Sequence, residues 1–211
     1  MRDYVKFLFV ITLTLFIFAC SNNDETAEED GAAEGGKQVE RLKAPVRPEF
    51  DFRKTRWGMS REEVLAHEPG KPIFNTENSL EYQIFIGDIQ AQANYKFDGD
   101  KLIRAGYHLP RKYEDMNEYL DKYEKIKAMI IESKGSPMID KEVQLDPSEE
   151  IDPDKKGEAA CEGKLVYGTQ WKHPGSDIQL LLRGENSECY LTVIYLKNVP
   201  DEPDEDTATA N

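Results

Sequence analysis

The chain has 211 residues, a formal net charge of -14 at pH 7 and 39% hydrophobic residues, which allows one large domain or two small ones. Acidity on this scale argues against nucleic acid as a partner, because a phosphate backbone is held by clustered Lys and Arg. The cysteines, Cys20, Cys161 and Cys189, stand in neither a C-x-x-C nor a zinc-like spacing, which argues against redox catalysis and a structural metal.

Residues 7–20 read F-L-F-V-I-T-L-T-L-F-I-F-A-C behind Arg2 and Lys6. A helix that spans a bilayer needs about 20 apolar residues, so this run is too short. A basic start, a short apolar middle and a small-residue exit predict an export signal over 1–19. Ile17-Phe18-Ala19-Cys20 resembles the lipobox of bacterial lipoproteins, which implies cleavage before Cys20 and lipidation of its thiol. The alternatives are an ordinary signal cut nearby and an uncleaved anchor. The implied address is the cell envelope, with the membrane as a partner through Cys20. Ser21 resembles an outer-membrane sorting signal.

Residues 20–47 are acidic and glycine-containing with few large apolar side chains, a composition that does not repay the entropy of ordering. They read as a tether with an end-to-end distance of about 25–30 Å. The tail, 199–211, has the same character. Between them, 48–198 is expected to fold. Ser60 and Glu63 make a capping box for a short helix, with Met59 and Val64 at the staple positions and Pro69-Gly70 as the stop. Leu80, Tyr82, Ile84 and Ile86, then Ile89, Ala91, Ala93, Tyr95 and Phe97, then 102–109, alternate between turns at Gly87-Asp88 and Asp98-Gly99. That pattern predicts an antiparallel meander with one buried face. A helix follows over 113–134, with Met116, Tyr119, Leu120, Tyr123, Ile126, Met129 and Ile130 on one stripe and Gly135 as its stop. Residues 140–162 are acidic with two Asp-Pro steps and read as an exposed loop; strands over 164–172, 178–183 and 189–197 close the body.

The fold class is therefore α+β: an antiparallel sheet from two three-stranded meanders, each preceded by a helix packed on one face. The halves are 48–110 and 111–198, alike in pattern and each with a Gly-x-Pro stop (Gly70-Lys71-Pro72, Gly135-Ser136-Pro137). Ala91, Ala93 and Ala105 on the inner face would let a helix lie close. In an oxidising compartment Cys161 and Cys189 are expected to form a disulfide, which can contribute roughly 3 kcal/mol. Strands one and three of a meander lie about 9–10 Å apart, so the bridge needs Cys161 to pass under the middle strand. Two separate thiols are the alternative.

Gly58-Met59-Ser60-x-x-Glu63-Val64, Gly70-x-Pro72 and Tyr95-x-Phe97-Asp98-Gly99-Asp100-Lys101-Leu102 resemble the BamE-type lipoproteins of outer-membrane protein assembly. They are also similar to the β-lactamase-inhibitory-protein-like fold, whose helix-plus-sheet unit comes in tandem. The resemblance covers 57–109 and implies a non-catalytic envelope lipoprotein that works by protein contact.

No catalytic residue is assigned. His67, His108 and His173 fall in separate elements, and neither a Gly-x-Ser-x-Gly elbow nor a P-loop is present. No cofactor and no metal ligand set is expected. The outer face of the first meander carries Gln83, Phe85, Gln90, Gln92, Asn94, Arg104 and His108. It reads either as solvated sheet or as a protein-binding face, with Phe85, Gln90, Gln92, Asn94, Arg104 and His108 as candidate contacts for an envelope protein. In the second meander Tyr190, Ile194 and Leu196 oppose Leu191, Val193 and Tyr195, so both faces are apolar. The alternative function is a solute- or metal-binding lipoprotein using the acidic 140–162 segment, although its spacing misses the calcium-loop pattern.

Overall fold

Ser60 starts the first helix for a local reason. Its hydroxyl accepts from the Glu63 amide at 3.2 Å, while the Glu63 carboxylate accepts from the Ser60 amide at 2.7 Å. This reciprocal box opens α1 (Arg61–His67), which ends at Glu68 just before Pro69. The structure is a computed structural model and describes residues 48–185 and 188–198. The expected signal (1–19), the lipidated Cys20, the tether (20–47) and the tail (199–211) lie outside the described residues.

After α1 come β1 (Phe74–Thr76), β2 (Ser79–Ile86), β3 (Ile89–Asp98), β4 (Lys101–His108), α2 (Asn117–Lys134), β5 (Ile139–Gln144), α3 (Lys156–Cys161), β6 (Leu165–His173), β7 (Ser176–Glu185) and β8 (Glu188–Lys197). The class is α+β. The strands form one eight-stranded sheet in the order β1-β2-β3-β4-β8-β7-β6-β5, antiparallel throughout. Alternation along β3 is clean: Ile89, Ala91, Ala93, Tyr95 and Phe97 are buried, and the residues between them are not. In α2 the apolar stripe buries Tyr119, Tyr123, Ile126 and Ile130. Gly135 at φ 87° ends that helix and donates its amide to the Ile131 carbonyl at 2.8 Å.

The core lies on one side of the sheet. Towards β6–β8, α2 and α3 bury Tyr123, Ile126, Ala159 and Ala160 against Leu165, Trp171, Leu180 and Leu182. Towards β2–β4 the cover is different, because α1 buries only Val64. The leading segment supplies the rest through Phe52 and Trp57. Tyr95, Ala105 and Tyr195 are register neighbours across β3, β4 and β8. The Phe52 ring sits 5.3 Å from Tyr95, 5.0 Å from Tyr195 and 4.8 Å from Tyr107. The small Ala105 thus seats a ring between two tyrosines, where a helix was expected. Trp57 then ties this segment to the second half, its indole N–H donating to the Gly175 carbonyl at 2.9 Å and the Ser176 hydroxyl at 3.0 Å.

Three expectations need correction. The sheet gains β1 and β5 at its two edges; both are mostly exposed, so neither shows the alternating burial that marks the inner strands. The 140–162 segment is no simple loop, since it carries most of β5, a 3-10 turn at Pro153–Lys155 and α3. The long helix begins at Asn117, whose amide is capped by the Asp115 carboxylate at 2.9 Å. Tyr113 lies ahead of it, edge-on to Tyr119 at 4.8 Å.

Candidate protein-binding face

The side of the sheet opposite the core carries no helix among the described residues, and the pleat dictates what it displays. Phe85 pairs with Gln90, Gln83 with Gln92, and Glu81 with Asn94. Across the next ladder Gln92 pairs with His108, Asn94 with Gly106, and Lys96 with Arg104. The six candidate residues therefore share one face and form a contiguous patch. Phe85 is 67% exposed and Gln90 and Arg104 are exposed; Gln92, Asn94 and His108 are half-buried. A β-bulge between Lys96 and Phe97 places Ile103 beside Arg104, and Ile103 is also exposed.

The patch continues across β8. Arg104 faces Leu196, Gly106 faces Ile194 and His108 faces Thr192. A Cβ at Gly106 would run into the Val193 carbonyl, so only glycine lets β4 and β8 approach this closely. Ile194 and Leu196 are half-buried and Tyr190 is 41% exposed. The second apolar face read from the sequence is thus partly open.

Electrostatics on this face are sparse. Lys96 Nζ donates to the Ser79 hydroxyl at 2.9 Å, and Gln83 Nε2 donates to the Ala91 carbonyl at 3.1 Å. Burial pushes the His108 imidazole below its ordinary value, against a smaller opposing effect from Glu81. At the far end of β4 a cavity of about 250 Å³ opens, lined by His108, Arg111, Tyr113, Met116, Tyr119 and Tyr190 among others. No periodicity signals it, because it forms where a connector, a helix start and a distant strand meet.

On the core side is a buried ionic group equally invisible in the sequence. Arg53 Nε donates to Glu68 Oε1 at 2.8 Å and its Nη2 to Oε2 at 3.0 Å. The Glu68 side chain is only 1% exposed, and the Tyr95 hydroxyl donates to Oε1 as well. Burial first, and then Glu68, push the Tyr95 phenol up. Burial opposes the Arg53 charge, but the bond to Glu68 and its charge outweigh this and raise the guanidinium. The arrangement is closed by its own partners and has the character of a structural clasp.

The two cysteines stand at disulfide distance, with Cα atoms 4.5 Å apart. Cys161 closes α3, and its carbonyl would clash with any Cβ on Gly184, the β7 partner of Cys189. A glycine in the middle strand is what lets Cys161 pass beneath it. Several of the 140–162 carboxylates are engaged with lysines: Glu142 with Lys156 at 2.8 Å, Glu149 with Lys164 at 2.7 Å, and Asp140 with Lys127 at 3.3 Å. Among the described residues no group of three or more His, Cys, Asp or Glu is placed to hold a metal ion. His67, His108 and His173 remain in separate elements. No helix of the described residues is long and apolar enough to cross a membrane. Compared with known proteins, the chain matches no family model, no curated protein and no solved structure.

Proposed function

We propose that this chain is a lipid-anchored protein of the bacterial cell envelope that acts without catalysis, binding an envelope protein through the open face of its sheet as an adaptor or inhibitor. In this reading Cys20 carries the lipid, the export signal delivers the chain to the outer membrane, and 20–47 holds the folded body off the surface. The body is read as two similar helix-plus-meander halves in the manner of the BamE-type and β-lactamase-inhibitory-protein-like folds.

The observation that supports the reading best is the one-sided packing. The leading segment and all the described helices cover one face, while the other displays Phe85 at 67% exposure beside Gln90, Gln92 and Asn94. An aromatic set among amides is a composition suited to protein contact. The test compares the natural chain with Phe85→Glu and Cys20→Ser in fractionated cells. Phe85→Glu should stay in the membrane fraction and lose a protein that co-purifies with the natural chain. Cys20→Ser should leave the membrane fraction or remain unprocessed. Co-purification indifferent to Phe85, or processing and retention indifferent to Cys20, contradicts the corresponding half of the proposal.

A further inference from the structure

We infer that the uncovered edge of β2, from Gln83 to Ile86, is a strand-addition site that takes an extended, uncharged segment of a partner protein as one more strand of the sheet. This rests on the protein-binding reading of the open face and names how the partner is held. An open sheet has two edges, and here they are β1 and β5. β1 is only three residues long and faces Ser79, Leu80 and Glu81. β2 runs on past it to Ile86. Beyond Tyr82 its edge is therefore bare among the described residues.

The direction of the main chain on that stretch follows from one bond. The Ile73 amide donates to the Glu81 carbonyl at 2.7 Å, so Glu81 turns its peptide groups away from β3. Along an antiparallel strand this alternates, and Gln83 and Phe85 turn their N–H and C=O groups outward too. Nothing among the described residues pairs with these four groups. Donors and acceptors repeating at every second residue are complementary to another extended main chain. A merely solvated edge presents the same row, so the side chains decide. Edges that stay free are kept very short or guarded by charge. β1 is short. β5 carries Asp140, Lys141 and Glu142 in succession, and Lys172 stands on the part of β6 beyond it. Gln83-Ile84-Phe85-Ile86 has no charge, and Phe85, at 67%, is the most exposed large apolar side chain among the described residues.

The same stretch sets the chemistry of its occupant. An added strand meets Phe85 on the open side and the half-buried Ile84 and Ile86 on the core side, which favours β-branched or aromatic residues opposite them. A charged residue there would lose water without gaining a partner. The tail of the chain suits the ladder poorly, since 199–211 is rich in acids and interrupted by Pro200 and Pro203. A second copy is obstructed. Pairing the stretch antiparallel with itself about Phe85 sets the copy's Asp88 opposite Tyr82. Ile73 already holds that position by the register of β1. A segment of another protein carries no such neighbour.

The full chain, isotope-labelled and purified in detergent, is followed by residue-resolved amide exchange, with an end-blocked peptide of alternating threonine and valine as the probe. In the free chain the Gln83 and Phe85 amides should exchange faster than those of Ile84 and Ile86. With peptide in excess both should slow about tenfold or more. N-methyl groups on every second residue leave one edge of the peptide intact and should spare binding; the same number on consecutive residues blocks both edges and should abolish it. Gln83→Pro deletes an outward amide, which an edge position tolerates, and should abolish the binding that Gln83→Ala retains. Absence of slowing, or equal binding of the two methylated peptides, overturns the inference. So do Gln83 and Phe85 amides that are already slow in the free chain. If that is independent of concentration, the edge belongs to another segment of the same chain; if it grows with concentration, to a second copy. A photocrosslinker at Gln92 is run in parallel in cells. An adduct there without slowing by peptide leaves the protein-binding reading standing and removes only strand addition; absence of both removes both.

Discussion

Arg53 occupies a left-handed backbone conformation, φ 51°, which a non-glycine residue adopts at a cost of order 1 kcal/mol. The tight turn around it is held by Asp51 N–H to the Thr55 carbonyl at 2.9 Å and Thr55 N–H to the Phe52 carbonyl at 2.9 Å. That geometry aims the guanidinium at Glu68 and drops Phe52 among the tyrosines. With the Glu68 side chain 1% exposed and Arg53 24% exposed, removing one partner strands a buried charge. Arg53→Met should therefore lower unfolding free energy by about 3 kcal/mol, as should Glu68→Leu. The double variant should recover at least half of either loss, leaving the Tyr95 hydroxyl as the group without a partner. Urea unfolding of the four proteins measures this, and additive losses would show that the pair is not coupled. Nothing in the sequence announces the clasp: Arg53 and Glu68 are fifteen residues apart and flank a helix from opposite ends. The Ser60–Glu63 box, by contrast, was fully legible because all its atoms lie within one turn.

At the scale of elements, legibility tracks burial. The strands β2, β3, β6, β7 and β8 each alternate because one face is packed, and their positions follow from the pattern. The edges β1 and β5 bury almost nothing and carry no such signal, so β5 is hidden inside an acidic stretch. α3 is only six residues long, and its Lys-Gly-Glu-Ala-Ala-Cys sequence has no large apolar stripe. Its packing comes from small side chains pressed on the sheet. The Cys161–Cys189 pair anchors this helix to β8 across a sequence separation of 28, which in the loop-entropy picture contributes about 3 kcal/mol. Cys161→Ser with Cys189→Ser should lower stability by that amount and raise amide exchange in 156–164 first, since α3 loses its tie. Exchange mass spectrometry decides this. Protection of α3 unchanged in the double variant would show that packing alone holds it.

For the whole molecule, the governing feature is asymmetry between the two sides of one sheet. The core side closes with aromatic rings, helices and a buried ion pair. The other side keeps Phe85, a row of amides and Arg104 in view. Period-two patterning was enough to place Phe85, Gln90, Gln92, Asn94, Arg104 and His108 on a common face. It could not show that β8 lies next to β4 and extends that face with Tyr190, Ile194 and Leu196, because strand order depends on long-range pairing. The cavity beyond His108 was hidden for the same reason, its walls coming from 108–119 and 188–190. The measurement that bears most directly on the account is site-specific photocrosslinking in cells. Probes are placed singly at Phe85 and Gln92 on the open face, and at Ala128 and Glu132, exposed on α2. The account predicts one adduct of common mass from both sheet positions and none from the helix. Adducts from α2 with none from Phe85 or Gln92 would contradict it.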